Sequence, residues 1–513
     1  MAFLMTFFDL LALLSFFVIL RAIRDHRRRR GLPHPPGPRP WPLIGNLFDI
    51  PKESPWLTYA QLSKKYGDVI SFNVFGQTIV ILGSIKVTKD LFEKRGDTYS
   101  DRPVFPFIEM MDLQWALPMA RHAEPWRLGR KLLERSLRPV AAAAYRLLQE
   151  KRAHVLLSRL LESPDKWVEH IELFQGEQLL AMTYGYEAQG SDDRVIDAAK
   201  KMSDIASTTS LPGACLVNEF PFLRHIPEWL PWFSYKPLAR IGHDLGQEVM
   251  NDPIQFVRES ILNGTAQPSL ALENFEAAEK LSGVERKKQE RAIAETLGSM
   301  YTAGSDTSVA SMMSLFLAFL LRPDVQRKAQ EDIDAVTGRE RLPTFEDRPK
   351  LPFVDAICKE VSRWMPVAPL HIPHAATQDG VYEGFFIPKG ALLIANTWAI
   401  LHDPAVYPEP DIFKPERFLN PNGTLREDPT LVSAFGYGKR FCPGRHFAEA
   451  TLFIVAVSVL SVFNLEKGGG SENRPFDYSY SSGLISRPNT FPCSFIPRDQ
   501  KAIDLLIADS LAR

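Results

Sequence analysis

Between Phe435 and Gly444 the chain reads F-G-Y-G-K-R-F-C-P-G, and the apolar run behind it, His446–Phe463, has helical spacing. Gly436 and Gly438 permit turns that side chains would block. Pro443 suits the first position of a helix, where a missing N–H loses nothing. Cys442 is thereby predicted at or beside a helix amino terminus. Unpaired N–H groups and the positive dipole end there favour the thiolate, the form that ligates metal. The four cysteines, Cys215, Cys358, Cys442 and Cys493, lie far apart and form no C-x-x-C pair. That spacing excludes a disulfide scaffold and the familiar zinc modules. A single cysteine cannot close a zinc site, but it suffices as axial ligand of a haem, whose porphyrin supplies four nitrogens. Taken alone, a cysteine in a glycine loop also fits a purely structural role.

At the other end, residues 2–20 carry one charge, Asp9. As a helix this run spans roughly 30 Å, one hydrocarbon core. Arg21, Arg24 and Arg27–Arg30 follow, and the positive-inside rule puts them, with everything after, on the cytosolic side. A cleaved signal peptide would carry its charge before the apolar run and a small-residue cleavage site after it, and neither is present. The expectation is an uncleaved anchor over 1–20, with Asp9 near the lumenal surface. The sequons at Asn263 and Asn422 would then stay unmodified. The stretch 21–45 is basic and proline-rich, with six prolines between Pro33 and Pro42. The stretch Pro33–Pro42 cannot be helical and should form a stiff, extended spacer, either a plain linker or a device that fixes how the next domain sits on the membrane.

From about Gly45 onward no repeat, low-complexity tract or linker interrupts the chain, so residues 46–513 form one domain. Val69–Val74 and Thr78–Leu82 alternate like strands, and Gly390–Ile394 is strand-like. Trp126–Leu137, Tyr145–Leu161, about Lys287–Leu321, Pro352–Trp364 and His446–Phe463 have helical spacing. The predicted fold class is mainly α with small β-sheets. Met312–Leu321 is too short for a second span, and Asp306 and several hydroxyls interrupt its extension. With 60 Lys+Arg against 61 Asp+Glu, the chain has no electrostatic footprint for nucleic acid.

The Phe435–Gly444 segment resembles, position by position, the haem-binding signature of the cytochrome P-450 family, F-x-x-G-x-R-x-C-x-G. Chance agreement at its fixed positions is on the order of one in a million per starting point, at ~5% usage per residue. The resemblance implies a single haem domain behind one N-terminal transmembrane helix, with heme b as cofactor and Cys442 as the iron ligand. Phe435 would shield the sulfur, Gly436 would shape the loop, and Arg440 would contact a haem propionate.

Further motifs stand upstream in the family's order. Glu360 and Arg363 form E-x-x-R, a helical i,i+3 pair, and the P-E-R-F segment Pro415–Phe418 supplies Arg417, which the resemblance joins to that pair. The long helix carries A-G-S-D-T, Ala303–Thr307. A mid-helix glycine costs about 1 kcal/mol, so Gly304 beside Ala303 suggests close approach by something flat. A mid-helix threonine can bond a carbonyl one turn back. By resemblance Ala303 and Gly304 face the cofactor, Thr307 is catalytic at the oxygen pocket, and Asp306 relays protons. Trp126 and Arg130 lie four apart on one helical face, and the family's W-x-x-x-R donates to a propionate. In P-L-H-I-P-H, His374 falls where relatives place a propionate contact, with His371 as the nearby competitor.

The resemblance runs from the anchor through Phe463. It implies an NADPH- and O2-dependent monooxygenase that inserts one oxygen atom into a lipophilic substrate. By the same likeness the protein is single-pass in the endoplasmic reticulum membrane with its catalytic domain cytosolic. Its electrons would come from NADPH-cytochrome P-450 reductase docking on the cysteine face, where Lys439 is a candidate contact. The motif wording is most similar to fungal members acting in secondary metabolism. Phe105–Trp115, rich in aromatics and methionine, either lines the substrate pocket or is ordinary core. Two alternatives remain: a haem-thiolate isomerase or dehydratase, against which Asp306–Thr307 argues, and a non-catalytic membrane-tethered haem-binding protein.

Overall fold

Periodic apolar runs become helices that close on one another in a computed structural model describing residues 27–512, except 191, 212, 231–234 and 469–477. The anchor expected over 1–20 lies outside the described residues. The helices framing the site are α1 (Glu124–Leu137), α2 (Arg146–Glu162), α3 (Trp167–Tyr184), α4 (Arg194–Thr209), α5 (Lys236–Leu262), α6 (Gly283–Leu321), α7 (Pro323–Thr337), α8 (Pro352–Trp364) and α9 (Arg445–Val462). Each of the five predicted helices is present to within a few residues. The others, α3, α4, α5 and α7, had no separate prediction.

The largest core cluster joins Met312–Leu320 of α6, Phe453–Leu460 of α9, Leu156–Leu160 of α2 and Val354–Val361 of α8. Among the described residues α6 and α9 are long and apolar enough to cross a membrane, yet both are mostly buried inside the domain. A helix apolar all round is a core helix when other helices cover it.

The strands are β1 (Val69–Val74), β2 (Gln77–Leu82), β3 (His374–Ala375), β4 (Gly380–Tyr382), β5 (Phe385–Ile387), β6 (Leu392–Ala395), β7 (Phe463–Lys467) and β8 (Cys493–Pro497). One sheet runs β1-β2-β6-β3, with β2 and β6 parallel, while β4-β5 and β7-β8 are antiparallel pairs. The proline-rich stretch is docked on this sheet. Ser71 donates its amide to the Pro36 carbonyl (2.8 Å) and its hydroxyl to that of Pro35 (2.6 Å), and the Phe386 amide donates to Pro33 (2.8 Å). A Cβ at Gly37 would lie 2.1 Å from the Ser71 carbonyl oxygen, so only glycine permits this approach. From Pro33 the segment belongs to the domain, because its carbonyls find donors on β1 and β5.

The E-x-x-R pair is fully buried on α8. Arg363 donates to both Glu360 oxygens (2.7 and 2.9 Å) and to the Leu401 carbonyl (3.1 Å). Arg417 adds a third donor to Glu360 at 3.1 Å, and the Lys414 amide a fourth at 2.8 Å. This knot ties α8 to the segment that leads into the cysteine loop.

Beside it, His402 lies flat on Trp398 (centroids 4.0 Å apart) and is held neutral. Burial, and then the Arg363 charge, pushes its pKa down to about 3. The unfolded chain binds this proton near pH 6.5 and the folded chain does not, so stability falls as pH drops from 6.5 toward 3. At pH 5 the loss is about 2 kcal/mol. Denaturation midpoints measured from pH 7 to pH 5 should fall less in His402→Gln, and an unaltered slope would assign the acid sensitivity elsewhere.

Candidate active site

The cysteine loop is closed by its own backbone, the Cys442 amide donating to the Phe435 carbonyl at 2.8 Å. Gly436 (φ +94°) and Gly438 (φ +51°) are left-handed, as the turn requires. A Cβ at Gly438 would lie 2.5 Å from the Phe92 carbonyl oxygen, and one at Gly436 would lie 2.9 Å from the His371 ring. Helix α9 begins at Arg445 with Gly444 as its N-cap, so Pro443 lies before the helix and not at its first position. Burial pushes the Cys442 thiol up. The Gly444 and Arg445 amides and the Arg130 charge pull it the other way.

Above the loop is a cavity of about 470 Å³. Cys442, Phe435 and Arg440 line one side, Ala303, Gly304 and Thr307 of α6 another, and Trp126 and Arg130 of α1 the rim. Eight of the eleven predicted site residues thus meet at one cavity. Gly436, Asp306 and His374 do not line it.

Thr307 donates to the Ala303 carbonyl at 2.7 Å, the back-bond expected of a mid-helix threonine. A Cβ at Gly304 would meet Leu179 of α3 at 3.1 Å, so the glycine lets α3 pack close to α6. Asp306 accepts from Ser203 (3.0 Å) and pairs with Arg487 (3.2 Å), facing α4 and the 478–489 turn. Burial raises its pKa, and the Arg487 charge and the Ser203 hydroxyl oppose that rise.

The histidine reading changes in detail. His374 is fully buried with Nδ1 on the Tyr99 carbonyl (2.8 Å), and its Nε2 lies 3.3 Å from Nε2 of His371. A carbonyl only accepts, so the His374 proton is on Nδ1 and His371 donates through Nε2. It is His371, on left-handed backbone (φ +51°), that lines the cavity. Burial holds it neutral, with its pKa pushed down to about 3. The two rings bond to each other, and the cationic groups at the cavity come from elsewhere.

They come from arginines, one of which the sequence did not reveal. Arg102 is buried and donates to the carbonyls of Pro118 (2.6 Å), Ile372 (2.7 Å) and Pro373 (2.9 Å). Arg440 donates to Ser100 (2.9 Å) and Ala120 (2.9 Å) and lies 4.3 Å over the Trp126 ring, while its buried Nη2 lies 3.9 Å from Asp101 and has no hydrogen-bond partner among the described residues. Arg102 is driven well below its usual pKa by burial and by Arg440, and burial brings Arg440 down to about 10. Arg130 donates to the Phe441 carbonyl and to Glu134. Arg102 stands in an ordinary S-D-R-P loop, so no sequence signal marks it.

Phe105–Trp115 is not part of the cavity wall. Phe105, Phe107, Ile108, Met111 and Leu113 fill a satellite core with Met202, Cys215 and Val217.

Heme b fits these residues. Two buried guanidiniums with an unused donor suit paired carboxylates. One sulfur suffices where a macrocycle brings the other ligands, and among the described residues no cluster of metal-binding side chains offers an alternative. A fold and cavity of this kind define a haem-thiolate protein. The chain belongs to the cytochrome P450 family, whose family model matches residues 35–493. It is 40% identical over 94% of its length to cytochrome P450 monooxygenase 208 of Postia placenta, covering 94% of that protein. It is 37% identical to cytochrome P450 monooxygenase claR of Ampulloclitocybe clavipes (93% of this chain, 89% of the relative). To the tryptamine 4-monooxygenase of Psilocybe cyanescens it is 36% identical (94% and 95%). The protein is a haem-thiolate monooxygenase, and it works with O2, a small-molecule substrate and a redox partner.

Proposed function

We propose that this monooxygenase draws electrons from NADPH through the membrane-bound cytochrome P450 reductase and oxidises a neutral lipophilic molecule of secondary metabolism. The observation that carries the reading is the cavity wall facing Cys442. Leu117, Leu179, Met300, Val367 and Ile485 make it apolar, and its polar groups on α6 are the hydroxyls of Ser299, Thr307, Ser308 and Ser311. A cationic amine, such as the tryptamine named for the Psilocybe relative, would need an anion when desolvated. The carboxylates that line the cavity, Asp355 and Glu449, are paired with Arg348 and Arg445, and Asp306 behind the wall is engaged by Arg487 and Ser203. Titrating neutral and cationic lipophiles into the holoenzyme and reading the haem spin-state shift tests this. Tighter binding by the cationic set would sink it.

Bound haem supplies oxygen activation and accepts the electrons. The protein's part is to hold and to move protons. Cys442 would hold the iron, Phe435 would shield the sulfur, and Arg102, Arg130 and Arg440 would receive the propionates. The Thr307 hydroxyl turns from the Ala303 carbonyl into the cavity and carries the proton there. Asp306, one residue earlier and paired with Arg487, exchanges protons on the outer side of α6. Thr307→Ala should keep the haem but divert most reducing equivalents to peroxide, read as the peroxide-to-product ratio. Fully coupled turnover would reject the role.

For the membrane, support comes from the apolar run 2–20 and from exposed apolar side chains at Trp41, Leu43, Phe48, Phe222 and Trp229. Phe75, whose amide donates to Ile44, packs on Phe220 with centroids 4.3 Å apart and so links the two segments. The site in the cell is the endoplasmic reticulum, with the domain cytosolic. Lys439, paired with the exposed Asp97, exchanges that partner for an acidic group of the reductase. Full-length protein should resist alkaline extraction from microsomes, and release into the supernatant would remove the anchor.

A further inference from the structure

Four buried polar side chains form a continuous string along one side of the cavity. Gln175 on α3 donates to the Gly304 carbonyl at 3.0 Å. Gln178, one turn on, donates to the Gln175 amide oxygen and points its amide at Thr451 of α9 (3.5 Å). Gln149 on α2 donates to Thr451 (2.8 Å) and to the Phe447 carbonyl (3.1 Å). All four residues are buried. Because carbonyls only accept, Gly304 fixes the orientation of the Gln175 amide, which in turn fixes Gln178, and Phe447 fixes Gln149.

An apolar core would serve packing better. Gln178 Oε1 and Gln149 Oε1 are buried without a partner among the described residues, a cost that a merely structural cluster would have no reason to carry. What the string does have is a position. Its end bonds a carbonyl between Ala303, whose own carbonyl is taken by Thr307, and Thr307 itself. Side-chain donors at two successive helix carbonyls compete with the i→i−4 ladder. Both carbonyls lie in the turn of α6 that carries the Thr307 hydroxyl.

We propose that Gln175 is a positioning residue of this monooxygenase: through the Gly304 carbonyl it sets the local shape of α6 that presents Thr307, and Gln178 holds its amide in the required orientation. Gln149 belongs to the far end of the string and does not take part. The inference rests on the haem reading of the cavity and adds a residue to it.

The test uses full-length holoenzyme, reduced under carbon monoxide, with the C–O stretch measured by infrared and the peroxide share measured during turnover. Q175L is expected to keep the red-shifted absorption band, to displace the C–O stretch and to raise the peroxide share several-fold. Q178L, which does not touch the cavity, is expected to move both readouts in the same direction by less, and Q149L to leave both at parent values. Parent-like values in Q175L overturn the proposal. So does a displaced Q175L beside an unmoved Q178L, or a Q149L as displaced as Q175L, since that would be general repacking. Should Q175L fail to fold, Q178L decides alone against the same parent values. Failure of the haem reading itself would show separately, as loss of the red-shifted band.

Discussion

Cys442→Ala is expected to lose the red-shifted carbon monoxide band and, with it, all reductase-coupled product formation, a drop of several orders of magnitude rather than a partial loss. The sulfur is the only strong metal-binding atom that the cysteine loop brings to the cavity, and thiolate donation is what favours O–O cleavage in this class. The loop itself should survive the change. Its closure is a backbone bond from Cys442 to Phe435, its turns depend on Gly436 and Gly438, and alanine removes one atom without adding any. A folded domain with a changed haem spectrum is therefore the expected state, measured as near-parental far-ultraviolet dichroism beside an absent red-shifted band. Cys442→His should give a band of the nitrogen-ligated kind, without turnover. A red-shifted band persisting in the alanine variant would remove the ligand assignment and the roles built around it.

Long periodic segments and residue-specific motifs were legible before any coordinates. Helices α1, α2 and α8 follow from apolar spacing on one face, and α6 and α9 from long apolar runs that other helices cover. The cysteine loop followed from glycines whose left-handed backbone is now visible. What remained hidden depends on direction and partnership. His371 and His374 are three apart where the chain enters β3, and nothing in P-L-H-I-P-H says which ring reaches the cavity. The Tyr99 carbonyl decides it, a contact across 275 residues. Arg102 is an unremarked loop arginine until folding surrounds it with carbonyls. Asp306 adjoins Thr307 in sequence, yet successive helix positions face about 100° apart, so one lines the cavity and the other meets Arg487. Gln175 and Gln178 had a faint signal, two amides on a helix otherwise destined for burial, whose meaning depended on Gly304 lying opposite.

Glu360→Ala is expected to destabilise the fold by about 3–5 kcal/mol, the usual result of removing one partner from a buried ion pair. Glu360 and Arg363 are both fully buried, and the carboxylate serves two donors on Arg363, one on Arg417 and the Lys414 amide. Alanine would leave the Arg363 charge in the core with the Leu401 carbonyl and the Tyr407 ring to face but no carboxylate on α8, and Arg417 would lose its link to α8. Glu360→Gln keeps acceptor capacity but not the charge, so it should be intermediate. Replacing both Glu360 and Arg363 with methionine removes the stranded charge and should recover a large part of the loss, because well-packed apolar groups often match a buried pair. Denaturant midpoints across the three variants measure this, with haem content as the second readout. The knot leads into the cysteine loop, so haem retention should fall in the same order as stability. A parent-like midpoint for Glu360→Ala would show that water or a shifted side chain relieves Arg363, and that the knot does not hold the haem-side core.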